Sequence, residues 1–272
     1  MKDYLNAQID EIEIGDSELR REQDQEPIHD TRVAIRRLRS TLRIFAKALD
    51  GAKLGDADGE LKWFAALLGD VRDCQVQWRR LTKALDGMPD ELILGPVRSR
   101  IRNELQSIEL PARGRLTEAM DSDRYRTLMA ALRGWRAEPP VGQRISTRTL
   151  RKAARRAERK ADRRLAAALE SGPEAGEATI LHRARKAAKR ARYAAELRAP
   201  LDKRAKRTFK HYKQIQSLLG DHQDTVVASD ALRRMALTAG TTVGENGFSY
   251  GMLYAREQQV ARQCREDALQ LV

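Results

Sequence analysis

The chain has 272 residues, a third of them charged, and carries a formal net charge of +13. That length supports one large or two medium domains with a real core, and the charge favours a polyanionic partner: nucleic acid, an anionic membrane surface or a phosphate polymer. No run approaches the roughly 18 apolar residues of a membrane span, so membrane insertion is not expected.

Aromatic residues are 5% of the chain. Alanine, leucine and arginine abound while β-branched runs are scarce, a mixture that predicts an all-α fold. The first residues, MKDYLNAQIDEIEIGD, are acidic and lack a secretory pattern, which points to a cytoplasmic setting. Cys74 and Cys264 have no metal-ligand spacing and read as reduced core thiols.

In chain order, an acidic helix is expected around Asp10 to Glu26, ending near Glu26-Pro27. A basic helix, IHDTRVAIRRLRSTLRIF, opens at Ile28. Further breaks fall at Asp50 to Gly59, Asp86 to Asp90, Glu138-Pro139-Pro140-Val141-Gly142, Ser171 to Gly176 and Thr238 to Gly247. The paired prolines divide the chain into an N-terminal half, 1–138, and a C-terminal half, 143–272.

These halves repeat. With His29 laid on His182, Arg32 falls on Arg185, Arg36 on Lys189, Arg37 on Arg190 and Arg39 on Arg192. At nearly the same separation, Leu67-Leu68-Gly69-Asp70-Val71-Arg72-Asp73 matches Leu218-Leu219-Gly220-Asp221-His222-Gln223-Asp224. Two motifs in one order indicate a duplicated helical unit. Gly69 and Gly220 suit the position after a helix end, where Asp70 and Asp221 would cap the next helix. Alternatively, the carboxylates of these segments hold arginine heads in place.

At roughly 100° per residue, His29, Arg32, Arg36, Arg39, Arg43 and Lys47 share one face of a helix, opposite Ile35, Leu38, Leu42, Phe45 and Leu49. In the second copy His182, Arg185, Lys189 and Arg192 align, flanked by Lys186 and Tyr193, over a face of Ala184, Ala187, Ala188, Ala191 and Ala195. Like charges at i,i+4 destabilise a helix by a few tenths of a kcal/mol per pair. A stripe with no acid of its own therefore points to an external anion. Two further basic stripes follow, Arg148, Arg151, Lys152, Arg155 and Arg159 on one helix, and Lys203, Lys206, Lys210 and Lys213 on the next.

No catalytic constellation emerges. The histidines His29, His182, His211 and His222 lack the paired spacing of a zinc site, and a cationic neighbourhood repels a metal ion. His29 and His182 read as hydrogen-bond donors to an anion, gaining charge as pH falls through neutrality. His211 and His222 read as structural. There is no glycine-rich phosphate loop, nucleophile elbow or Cys/His cluster. Neither a cofactor nor a metal is expected.

The pairing of IHDTRVAIRRLRSTLRIF with LHRARKAAKRARYAAEL, each followed by an LLGD segment, resembles the CHAD domain, the conserved histidine α-helical domain, over essentially the whole chain. The resemblance implies two antiparallel four-helix bundles related by pseudo-two-fold symmetry, with a basic surface or pore between them. It also implies non-catalytic binding of inorganic polyphosphate and association with polyphosphate granules. Its basic motif carries over to His29, Arg32, Arg36, Arg37 and Arg39, and to His182, Arg185, Lys186, Lys189, Arg190, Arg192 and Tyr193. Because the opening helix is acidic where its counterpart is basic, the second half should supply more of the outer contacts. Two other functions compete: a nucleic-acid-binding helical protein, which lacks interleaved aromatics for stacking, and an enzyme acting on phosphoanhydrides through Asp70 and Asp221.

Overall fold

In a computed structural model, residues 1–21, 25–142, 146–170, 177–200 and 202–271 are described. They form ten α-helices: α1 (Lys2–Arg21), α2 (Gln25–Ile44), α3 (Gly51–Leu54), α4 (Ala57–Asp86), α5 (Val97–Asp121), α6 (Asp123–Ala137), α7 (Thr147–Glu170), α8 (Glu177–Arg198), α9 (Lys203–Ala239) and α10 (Phe248–Leu269). No strand is present among the described residues; Leu49 and Val141 make one isolated antiparallel bridge. The fold is all-α, as composition and period predict. The break read at Ser171 to Gly176 and the start of the second half at residue 143 lie outside the described residues.

Local signals set the helix starts. Asp202 accepts a hydrogen bond from Arg204 N at 2.9 Å to open α9, and Ser122 accepts from Tyr125 N at 3.2 Å to open α6. Two expectations need correction. The basic stripe does not run on to Lys47, because α2 stops at Ile44 and Ala46–Ala48 form a 3-10 turn. There Gly142 N donates to Ala48 O at 3.1 Å and Asp50 N to Pro140 O at 3.2 Å, so the Pro-Pro link is stitched against the end of α2. Gly69 and Gly220 do not end helices either. Each lies inside a long helix, α4 or α9, so Asp70 and Asp221 cap nothing.

The long helices correspond in order, α1 with α7, α2 with α8, α4 with α9 and α5 with α10, while α3 and α6 have no counterpart among the described residues of the second half. The two halves also pack differently. Around Leu5, Ile9, Leu38, Phe64 and Tyr125 the first half buries large side chains. Alanine dominates the second, with Ala161, Ala184, Ala188 and Ala191 against Leu165 and Ile215.

A third core belongs to neither half. Leu81, Leu85 and Ile101 from α4 and α5 interlock with Leu232, Met235 and Leu253 from α9 and α10. Beside it Arg80 Nε meets Oε2 of the fully buried Glu257 at 2.5 Å. A further cluster joins Phe45 and Ala48 to Ala154, Ala194 and Leu197. The halves are thus welded through apolar surface at two places.

This shared core makes a measurable demand. All three tryptophans, Trp63, Trp78 and Trp135, lie in the first half. Leu232→Ala in the second half should cost about 2–5 kcal/mol. It should lower the denaturation midpoint read by tryptophan fluorescence as much as that read by far-UV circular dichroism. A tryptophan midpoint left unchanged would mean that the halves unfold independently.

Candidate anion-binding site

The site grows from the way α2 and α8 meet. Ala184, Ala187, Ala188 and Ala191 are all buried, and a face of methyl groups lets α8 approach its neighbours closely. Contacts across the pair are reciprocal, as in two-fold-related helices. Arg36 lies among Arg32, Arg185 and Arg192, and Lys189 lies among Arg36, Arg185, Arg32 and Lys186. Arg32, Arg36, Arg185 and Lys189 therefore form one cluster of cations.

That cluster is under electrostatic load. Arg36 is half-buried, and its Nε is wholly buried with no hydrogen-bond partner among the described residues. Burial holds its guanidinium below the ordinary arginine range; Tyr193 opposes the shift, and Arg32, Arg185 and Arg192 add to it. At Lys189 burial and the surrounding cations push the amine well below the ordinary lysine value. The Nε atoms of Arg185 and Arg192 are likewise buried and unpartnered. Uncompensated charge in such a place is costly unless something brings an anion to it.

The repeated Leu-Leu-Gly-Asp segments serve these arginines. A Cβ on Gly69 would sit 3.2 Å from Arg32 Nη2, so the glycine leaves room for the guanidinium to cross α4. Arg32 Nη1 then pairs with Asp73 Oδ1 at 2.7 Å. In the second half Arg185 Nη2 comes within 4.0 Å of a Cβ on Gly220, the same placement with more space. Asp224 is the counterpart of Asp73. Burial raises its carboxyl above the usual range, although Arg185 and Arg80 oppose the shift. Asp73 therefore holds an arginine head, the second reading made from the sequence. Asp70 faces Arg115 at 3.6 Å.

The histidines flank the cluster in equivalent positions. His182 Nδ1 lies 3.2 Å from Gln223 Oε1, and His29 lies beside Arg72, which is the counterpart of Gln223. Both imidazoles are held below their ordinary value. At His29 the causes are burial, then Arg72 and Arg36; at His182 they are burial, then Lys186, with the bond to Gln223 acting in the opposite sense. Arg72 and Arg79 on α4 join the site here and were missed from the sequence. The signal was present in the first repeat, where Arg72 sits between Asp70 and Asp73.

The other predicted residues are placed as follows. Arg37 Nε lies 2.7 Å from Glu196 Oε1, an ion pair across α2 and α8 without hydrogen-bond alignment. Arg39 and Arg43 converge on Asp58, at 3.0 and 2.6 Å. Arg192 donates to Gln216 Oε1 at 3.1 Å, with its guanidinium 5.3 Å from the Phe209 ring centre and 5.4 Å from that of Tyr193. Tyr193 itself is buried and forms a wall. Arg190 sits beside Arg43, Arg164 and Arg39. Arg148, Arg151, Lys152, Arg155 and Arg159 are exposed along α7, as are Lys203, Lys206, Lys210 and Lys213 on α9. His211 is exposed against Tyr212, with ring centres 5.2 Å apart. Both cysteines are buried and free; burial pushes the Cys74 thiol up to about 11.

Among the described residues no group of three or more His, Cys, Asp or Glu side chains could hold a metal ion. No described helix is long and apolar enough to cross a membrane.

Comparison with known proteins agrees with this architecture. The CHAD domain profile matches residues 3–233. Two proteins of Mycobacterium tuberculosis, the uncharacterized proteins MT2285 (strain CDC 1551 / Oshkosh) and Rv2226 (strain ATCC 25618 / H37Rv), are each 32% identical over 275 aligned residues, covering 96% of this chain. The chain spans about half (50%) of the length of these relatives. Among solved structures, PptA from Streptomyces chartreusis superposes with a TM-score of 0.79 at 23% identity, covering 98% of this chain and 96% of that one. The CHAD domain from the plant Ricinus communis superposes at 0.73 and 24% identity, covering 97% and 90%. The chain belongs to the CHAD domain family.

Proposed function

We propose that the cation cluster between α2 and α8 binds inorganic polyphosphate, and that it does so without turning it over. One observation carries this reading: Arg36 and Lys189, counterparts in the repeat, lie near each other with no carboxylate paired to either among the described residues and with their charged forms penalised. A chain of phosphates supplies what the fold omits, non-bridging oxygens spaced along a line, and no base needs to be read. Membership of a family whose resemblance implies polyphosphate binding supports the same partner. The aromatic groups at the site are occupied otherwise, Tyr193 as a buried wall and Phe209 beneath Arg192, so neither offers a platform for stacking a nucleotide base.

Combined neutral substitution of Arg32, Arg36, Arg185 and Lys189 should abolish retention on immobilised polyphosphate while the protein stays folded. Binding that survives the change would place the site elsewhere. No orthophosphate should be released from polyphosphate in the presence of Mg²⁺.

Stability should move the opposite way from binding. Arg36→Met or Lys189→Met removes a half-buried, uncompensated cation and should raise the stability of the free protein by about 1 kcal/mol or more. Each should also weaken polyphosphate binding by at least about tenfold, the loss of one charge-assisted contact. Thermal melting and titration of the same variants check both halves of the statement.

Proton linkage has a definite sign. His29, His182 and Lys189 are bases held below their ordinary values in the free protein. The unfolded chain therefore binds more protons, and the contribution of these groups to stability falls as pH drops from their ordinary values towards their folded ones. A bound polyanion favours the charged forms, so binding takes up protons and tightens as pH falls. Calorimetry in buffers of different ionisation enthalpy should show this uptake, and His29→Gln with His182→Gln should remove the part below about pH 6.5.

A further inference from the structure

The repeat leaves one position filled in one half and open in the other. Register shows which. With Leu5 of α1 laid on Ala154 of α7, Ile12 falls on Ala161, Leu19 on Ala168, and Tyr4 on Ala153. In the α2–α8 register that places His29 on His182, Arg37 falls on Arg190 and Arg43 on Glu196.

At the filled position, Arg37, Glu196 and Tyr4 come together. Arg37 pairs with Glu196, and the Tyr4 hydroxyl is buried close to both, pushed far above its ordinary pKa by burial and then by Glu196. The open position has Arg190, Arg43 and Ala153 instead. Where the first set has a carboxylate, the second has a guanidinium; where it has a phenol ring, the second has a methyl group. A cleft of about 590 Å³ lies there, within the roughly 300–1,000 Å³ typical of small-molecule sites.

Its lining is of two kinds. Ile44, Phe45, Ala48, Ala153, Ala157 and Ala187 make the apolar part. Around them stand Arg43, Lys47, Lys152, Arg156, Lys160 and Arg190. Lys152, Arg156 and Lys160 rise along α7 at one position per turn, a ladder of about 6 Å steps. Arg43 is neutralised by Asp58, whereas the other five make no ion pair among the described residues.

We propose that this cleft is a second binding site, for a nucleoside polyphosphate: a flat heteroaromatic body in the place that Tyr4 takes in the other half, and a phosphate chain on the cations where Glu196 stands in that half. The two requirements arise together at one place, and neither inorganic polyphosphate nor an uncharged aromatic meets both. This inference does not depend on the polyphosphate reading of the α2–α8 cluster.

The test is calorimetric titration with ATP in the presence of EDTA, against inorganic triphosphate as the probe with charge and no body. The intact chain should bind ATP at least tenfold more tightly than triphosphate. Ala153→Tyr, which copies the filled half, should bring ATP down to the level of triphosphate and leave retention on long-chain polyphosphate unchanged. Arg156→Glu with Lys160→Glu, at exposed positions, should lower ATP affinity at least tenfold with the fold intact, and it decides the matter if Ala153→Tyr does not fold. Equal affinity for ATP and triphosphate, or ATP binding unchanged in a folded variant, overturns the proposal. Loss of polyphosphate retention on substituting the α2–α8 cluster is a separate readout and leaves this result untouched.

Discussion

Two helices of like charge packed against one another are the constraint from which the rest of the structure follows. α2 and α8 bring Arg32, Arg36, Arg185 and Lys189 together, and Arg36 and Lys189, half-buried with their charged forms penalised, oppose the contact. Something else must hold the helices in place. The shared core of Leu81, Leu85, Leu232 and Met235, the Arg80–Glu257 pair and the Arg37–Glu196 pair all cross between the halves. Folding elsewhere thus maintains an arrangement that the site alone would reject, and the cations of the proposed site are positioned in advance of any ligand.

The two halves also differ in how their cations are compensated. Arg39 is neutralised by Asp58, whereas its counterpart Arg192 lies over Phe209, the residue that occupies the position of Asp58 in the second repeat. Arg37 has Glu196, but Arg190 has Arg43. The acidic residues of α1 are also engaged within their own half, where Asp10 and Glu13 pair with Arg136 and Glu13 with Arg133. α7 has basic residues on its exposed face instead. α1 of the first half has its acids engaged, and α7 of the second presents its cations.

Much of this was legible from residue types and spacing. Helical period, proline breaks and the repeat gave the all-α fold and the correspondence of α2 with α8, because both depend on local pattern. The role of Gly69 and Gly220 was not legible in that way. A glycine before an aspartate suits a helix end when only the chain is considered, and the guanidinium that occupies its missing side chain comes from another helix. Arg72 and Arg79 escaped for the same reason, since α4 presents them to a cluster built on α2 and α8. Conversely Arg37, Arg39 and Arg43 look like free cations on a helical wheel, and only the fold supplies Glu196 and Asp58.

The unequal halves have a consequence for direction. The two ends of an unbranched inorganic phosphate chain are identical, so on the site proposed for it such a chain would have two orientations that differ only in which half meets which end. Both count towards occupancy, a statistical advantage of about RT ln 2, or about 0.4 kcal/mol. A ligand with distinct ends has no such degeneracy: Glu196 beside Arg37 and Arg43 beside Arg190 would sort its termini by charge. A surface that began as a symmetric repeat has thereby acquired polarity.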